Sequence, residues 1–199
     1  MRRVVLASGN PGKLNEMRAI LVDHGLEIVA QAEIGIAPPP EDGDNFVANA
    51  LIKARHAAAL SGLPAIADDS GLEVDALGGR PGLHSARYAG PDAGDRANNE
   101  RLLGELAGIP DGRRRARYRC AMVFVRRGSD PAPVVAQAVW EGRIGTAPRG
   151  AGGFGFDPLF IVAGDGRTVA EMPAAEKNRV SHRGQALLLL AARMNEAGW

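Results

Sequence analysis

The chain has 199 residues, 45% hydrophobic and 24% charged, with a formal net charge of +1. That is an ordinary globular composition with room for a proper core. Near-neutral charge provides no global field to draw nucleic acid or a membrane surface, and no apolar stretch approaches the length of a membrane span. Cys120 is the only cysteine, which excludes intrachain disulfides and thiolate zinc sites. Set in Arg119-Cys-Ala-Met-Val-Phe-Val125, it reads as a core residue.

In chain order, Val4 to Ala7 reads as a first strand. The preceding Met1-Arg-Arg resembles a secretory leader only in its charge; the apolar run is too short, so a cytoplasmic protein is expected. Ser8-Gly-Asn-Pro-Gly-Lys13 is a Gly/Pro loop, and Leu14, Met17 and Leu21 predict a helix over 14–21. Leu26 to Ala30 is a second strand, followed by a Pro-rich acidic loop from Ile36 to Gly43. Asp44 is expected to cap a helix with Phe46, Ala50, Ala54, Ala57 and Ala58 on one face. Pro64 to Ala67 predicts a buried strand ending on Asp68-Asp69-Ser70-Gly71, residue types that also build turns. Gly78 to Gly94 is loop-rich, with His84 placed to line a cleft. Asn98 to Leu106 reads as a helix. Ala116 to Arg126 and Val134 to Trp140, joined by Gly128-Ser-Asp-Pro131, predict a hairpin. Gly150 to Pro158 is a Gly-rich loop, and Val180 to Asn195 a final helix with Leu187, Leu190 and Met194 on one face. His24 and His56 fall in helices without metal-type spacing. Strands alternating with helices, then a hairpin, predict a single α/β domain over 1–199 with a mixed sheet.

Four segments carry candidate chemistry. Two adjacent acids, Asp68 and Asp69, at the end of a buried strand are costly to desolvate unless a cation meets them. Mg²⁺ takes oxygen ligands and needs only one or two protein carboxylates when substrate phosphates supply the rest. Ser8 to Lys13 joins a strand to a helix start, where backbone N–H groups and a lysine suit an anion. Its glycine spacing is not that of a Walker A loop. Gly150-Ala-Gly-Gly-Phe-Gly155 fits a dinucleotide pattern, but Phe156-Asp-Pro158 follows where a helix should begin. A better reading is a tight loop presenting Phe154 or Phe156 to stack on a base, with Asp157 nearby. Glu176 to Gly184 is dense in donors. Ser181 would cap the last helix and put His182 and Arg183 in its first turn, where a cation opposes the helix dipole unless a ligand rich in acceptors is present.

The 24 Lys+Arg include only three lysines, Lys13, Lys53 and Lys177. In an arginine-rich chain, a retained lysine marks a place for a compact ammonium rather than a planar fork. The run Arg113-Arg-Arg115 with Arg117 reads either as a nucleic-acid contact or as a solvated loop entering a strand.

Together these segments resemble the inosine/xanthosine triphosphate pyrophosphatases. The matching pieces are SGNPGK (Ser8 to Lys13), EDGDNFVANA (Glu41 to Ala50), Lys53-Ala-Arg, ADDSGLEVDALGGRPGLHSARYAG (Ala67 to Gly90), GGFGFDPLF (Gly152 to Phe160) and EKNRVSHRGQAL (Glu176 to Leu187), in family order over nearly the whole chain. The resemblance implies an elongated mixed β-sheet flanked by helices, related to the Maf type, with two lobes and a central nucleotide cleft. It implies a homodimer that clears ITP, dITP and XTP from the nucleotide pool by Mg²⁺-dependent hydrolysis to monophosphate and pyrophosphate, with neither nucleic acid nor membrane as partner. By the same resemblance Ser8, Gly9, Asn10, Pro11, Gly12, Lys13 and Lys53 hold phosphates, and Glu41 and Asp69 are metal-linked. Asp69 is the base with Asp68 in support, and Ser70 contacts the nucleotide. Phe154, Gly155, Phe156, Asp157, Lys177, His182 and Arg183 form the base and sugar site. Two positions depart from the family pattern: Pro40-Glu41 stands where a glutamate pair is common, and Asn45 where threonine is usual. A Maf-type pyrophosphatase and a nucleotide-binding module without catalysis are the alternative readings.

Overall fold

A computed structural model describes residues 2–21 and 25–199; the reading of His24 lies outside the described residues. The strands are β1 (Arg2–Leu6), β2 (Leu26–Ala30), β3 (Ala65–Val74), β4 (Arg115–Val125), β5 (Val134–Ile144) and β6 (Phe160–Val162). The α-helices are α1 (Pro11–Leu21), α2 (Phe46–Ser61), α3 (Asp95–Glu105), α4 (Ala174–Val180) and α5 (His182–Glu196). The strands form one sheet in the order β2-β1-β3-β4-β5-β6. β1 runs parallel to β2 and β3, and β6 antiparallel to β5, so the sheet is mixed as expected.

The chain divides into two compact units. The first comprises Met1–Asp69, Cys120–Ala138 and Arg183–Trp199. Its sheet is covered on both faces, and strand alternation decides which side chain goes where. Val4 and Leu6 of β1, Ile66 of β3, and Met122 and Phe124 of β4 pack with Met17 and Leu21 of α1 and Leu187, Leu190 and Met194 of α5. Val5, Ala65, Val123 and Val125 point the other way, against Ala50, Ala54, Ala57 and Ala58 of α2.

Cys120 belongs to this core, as its sequence context indicated. Burial, with the nearby Asp68 charge adding to it, pushes its thiol up to about 12. A thiol held that high presents almost no thiolate near pH 8, so the native protein is expected to resist alkylation and disulfide-exchange reagents. In a DTNB titration the thiol should react only on unfolding; rapid stoichiometric reaction of the folded protein would contradict the packing.

The second unit comprises Ser70–Arg119 and Val139–His182. Leu72 and Val74 of β3, Ala116 and Tyr118 of β4, Trp140 and Ile144 of β5, Phe160 of β6 and Leu102 of α3 form its core. The alternate positions are charged and paired: Arg119 donates to Glu73 at 2.8 Å, and Arg117 meets Asp75. Arg114 is buried and donates to the carbonyls of Ile109, Leu106 and Gly145 at 2.9, 3.1 and 3.1 Å. Arg115 lies 3.5 Å from Glu141, so three members of the arginine run are engaged within the fold.

Several element boundaries differ from expectation. α1 starts at Pro11, not Leu14, because the Asn10 side chain accepts the Lys13 backbone N–H at 3.1 Å and Pro11 suits the first helical position. The cap of α2 is Asn45 rather than Asp44; its side chain accepts the Ala48 N–H at 3.0 Å. α3 begins at Asp95, three residues before the expected start, and β5 runs on to Ile144. α4 occupies a segment read only as donor-rich. The largest correction is β3. It does not stop at Ala67 but continues through Asp68, Asp69, Ser70 and Gly71 to Val74, so the acidic pair stands inside a strand and not at a turn.

Candidate active site

In the first unit the consequence of that longer strand is direct. Asp68 and Asp69 are consecutive, so their side chains leave opposite faces of the sheet. Asp68 continues the Ile66 side and meets α1 and α5; Asp69 continues the Ala65 and Ala67 side and meets α2.

Asp68 is 1% exposed. Its Oδ2 accepts from Lys13 Nζ at 2.9 Å and Arg183 Nε at 3.4 Å. Lys13 lies one turn before Met17 on the buried stripe of α1, and Arg183 one turn before Leu187 on that of α5, which is why both reach the strand. Arg183 also pairs with Glu16 of α1. Burial favours the neutral carboxyl, but Lys13, Arg183 and Lys53 together outweigh it and hold Asp68 well below the usual carboxylate range.

Asp69 faces a different set. Asn49 Nδ2 donates to its Oδ2 at 3.1 Å, and Lys53 Nζ lies 3.3 Å from its Oδ1. Burial here exceeds the help from Lys53 and Lys13, so Asp69 titrates above the ordinary aspartate value. Lys53 Nζ also lies 3.0 Å from Glu41 Oε1, on the Pro-rich loop. Two carboxylate oxygens from separate elements therefore converge on one cation. Burial alone would lower the Lys53 ammonium pKa, yet Asp69, Asp68 and Glu41 hold it above its ordinary value.

At the start of α1, the Ser8 hydroxyl accepts the Asn10 N–H at 3.3 Å; Gly9, Asn10 and Pro11 are exposed, and Gly12 is half-buried. All these residues, with Lys13, Glu41, Lys53, Asp68, Asp69 and Arg183, belong to the first unit.

The second unit gathers Ser70, Phe154, Gly155, Phe156, Asp157, Lys177 and His182. Ser70 is half-buried on β3. Asp157 is a buried hub that accepts from Lys177 Nζ at 2.6 Å, the Phe154 N–H at 2.9 Å and the Tyr118 hydroxyl at 3.1 Å. Lys177 Nζ sits 4.5 Å above the Phe154 ring, a cation–π contact that holds the ring in place. His182 stacks on Tyr118 with centroids 4.6 Å apart and planes 9° from parallel, and on Trp140 at 6.3 Å. The division between the units falls between His182 and Arg183, so these neighbours are placed by different cores.

Of the two rings proposed for stacking, Phe156 is a correction. It is 3% exposed in the core and meets Tyr88 edge-on at 6.5 Å. Phe154, half-buried, keeps accessible surface. His84 is exposed in a 3-10 turn, and the His56 ring bonds with the Ala37 carbonyl oxygen at 3.0 Å.

Residues that sequence reading passed over complete both sets. In the first unit these are Asn49 and Glu16. In the second, Asp95 accepts the Gly155 N–H at 2.6 Å and Asn99 donates to the Gly155 carbonyl at 2.8 Å, so α3 holds both backbone groups of the loop. A signal existed for Asn49 and Asn99: asparagine is a weak helix former, and each interrupts an otherwise helical segment without capping it.

The Ham1 family model matches residues 4–193. The chain belongs to the Ham1 family. It is 58% identical over 193 residues to a dITP/XTP pyrophosphatase of Methylococcus capsulatus, covering 97% of this chain and 96% of that one. It is 52% identical over 197 residues to the dITP/XTP pyrophosphatase of Yersinia pestis, covering 99% and 100%. The solved structure of a HAM1 protein from Coxiella burnetii matches with a TM-score of 0.90 at 45% identity, over 98% of this chain and all of that one.

Proposed function

We propose that this chain hydrolyses the non-standard purine nucleoside triphosphates ITP, dITP and XTP to monophosphate and pyrophosphate. The single observation that carries the chemistry is the contrast at Asp68 and Asp69. One carboxylate is neutralised by fixed cations, while its neighbour is raised in pKa and set beside a second carboxylate. Full-length likeness to enzymes named dITP/XTP pyrophosphatases supports the substrate class.

The start of α1, Lys13 and Lys53 bind the phosphates, since helix N–H groups and ammonium ions both favour anions. Asp69 takes the proton from water as the water oxygen bonds to the α-phosphorus. The bond from that phosphorus to the bridging oxygen breaks, and the electron pair leaves on pyrophosphate. Glu41 and Asp69 suit Mg²⁺, whose ordinary need is one or two protein carboxylates, because their oxygens already converge on the Lys53 cation. Among the described residues no group of three or more His, Cys, Asp or Glu stands ready for a metal, so the remaining ligands would be substrate and water. Bound there, Mg²⁺ would supply charge neutralisation and orientation of the phosphates.

Phe154 stacks on the base. His182 donates to its 6-oxo oxygen; adenine, with an amino group there, leaves that donor unmatched. Ser70 and Lys177 contact the sugar and base. The reading extends to a cytoplasmic homodimer, as the family resemblance implies. Among the described residues no helix is long and apolar enough to cross a membrane.

The test is pyrophosphate release with Mg²⁺ across ITP, dITP, XTP, dGTP, ATP and dUTP. The three non-standard purines are expected to exceed ATP in kcat/KM by about 10²-fold or more. Equal turnover of ATP and ITP, or release of orthophosphate in place of pyrophosphate, would refute the assignment.

A further inference from the structure

Asn49 does not appear in the mechanism above, yet it touches both pieces that carry the proposed metal carboxylates. It is 3% exposed, on the face of α2 that packs against the sheet. Its Oδ1 accepts the Gly43 N–H at 2.8 Å, and its Nδ2 donates to Asp69 Oδ2 at 3.1 Å. The orientation is chemically forced: a backbone N–H only donates and an ionised carboxylate only accepts, so the amide has one way round. Lys53, one helical turn further along, repeats the pattern by touching Asp69 Oδ1 and Glu41. The loop and the strand are thus tied to α2 twice, once through each oxygen of Asp69.

The loop side is equally constrained. A Cβ added at Gly43 would lie 2.7 Å from Asn49 Oδ1, 2.8 Å from Ala48 Cβ and 2.9 Å from the Asn49 nitrogen. Gly43 is needed here for close approach, not for an unusual φ. Glu41 is two residues upstream, so whatever sets the height of Gly43 above α2 also limits where Glu41 can reach.

We infer that Asn49 is a positioning residue that locks the Glu41 loop to Asp69 and so sets the relation between the two carboxylates offered to magnesium. Aspartate would keep the acceptor but set a carboxylate against Asp69; alanine would lose both bonds. This inference rests on the proposed metal reading.

The test pairs Asn49→Ala with Gly43→Ala, which breaks the same contact from the loop and keeps a folded variant in hand. Hydrogen exchange on the metal-free protein should show the Gly43 amide losing its protection in Asn49→Ala. The Mg²⁺ concentration for half-maximal pyrophosphate release should rise about 10–100-fold, the usual effect of removing a group that orients a metal ligand. KM for dITP at saturating Mg²⁺ should change far less. The double variant should be no worse than the poorer single, as residues acting through one contact are not additive. A Gly43 amide still protected, an unaltered Mg²⁺ requirement, or multiplying effects in the double variant would overturn the inference. A parent enzyme indifferent to Mg²⁺ would overturn the metal reading, and the spacing role with it.

Discussion

Asp69→Asn is expected to lower kcat by about 10²–10⁴-fold, the typical worth of a positioned base, while the protein remains folded. The stability half of this expectation follows from the direction of the pKa shift. A carboxyl raised above its unfolded value is one whose ionised form the fold disfavours, so its charge contributes no net stability near neutral pH. Removing that charge leaves Lys53 paired with Glu41, and an amide fills the same space, its oxygen still accepting from one of the two donors while its NH2 opposes the other. The Tm should therefore stay within roughly 2–4 °C of the parent, equivalent to about 1 kcal/mol for a chain this size. Steady-state kinetics and a thermal melt on the same preparation decide it. Near-parental turnover would remove Asp69 as the base; a collapsed melt would make it a structural residue.

Asp68→Asn should behave in the opposite way, although it alters the adjacent residue. Here the carboxyl is depressed, so its ionised form stabilises the fold; that contribution is present above the unfolded carboxylate range and lost only in strong acid. Neutralising it leaves Arg183 and Lys13 facing an amide in a site that is almost wholly buried. Breaking a buried pair from one side costs about 3–5 kcal/mol, or roughly 6–20 °C in Tm at this length. Glu16 still pairs with Arg183, which places the expected loss toward the lower end. A Tm within 2–4 °C of the parent, about 1 kcal/mol, would show that the ion pairs contribute little and that Asp68 is not the anchor of this network.

Much of this was legible from residue order. Cys120 reads as core because apolar residues surround it, and it is core. The three lysines stand out against 24 basic residues, and each lies within about 3.3 Å of a carboxylate. The covered stripes of α5 follow from the spacing of Leu187, Leu190 and Met194. The start of α1 was equally available in Asn10-Pro11, and reading Ser8 to Lys13 wholly as loop overlooked it.

The Asp68–Gly71 segment misled for a physical reason. Asp, Ser and Gly favour turns by small local margins, while ion pairs and ladder bonds formed by distant parts of the chain act on the same residues. Phe156 is similar: no local pattern separates a ring destined for the core from one two residues away that keeps surface.

Residue order alone singled out the acidic pair Asp68-Asp69, Glu41 and the three lysines as candidates, though not their partners Glu16 and Asn49. What only the tertiary structure decided is which of two neighbouring aspartates is spent on holding the fold. That depends on which helix covers each face of β3, and helix placement follows from the order of strands in the sheet, a long-range property that no window of sequence contains.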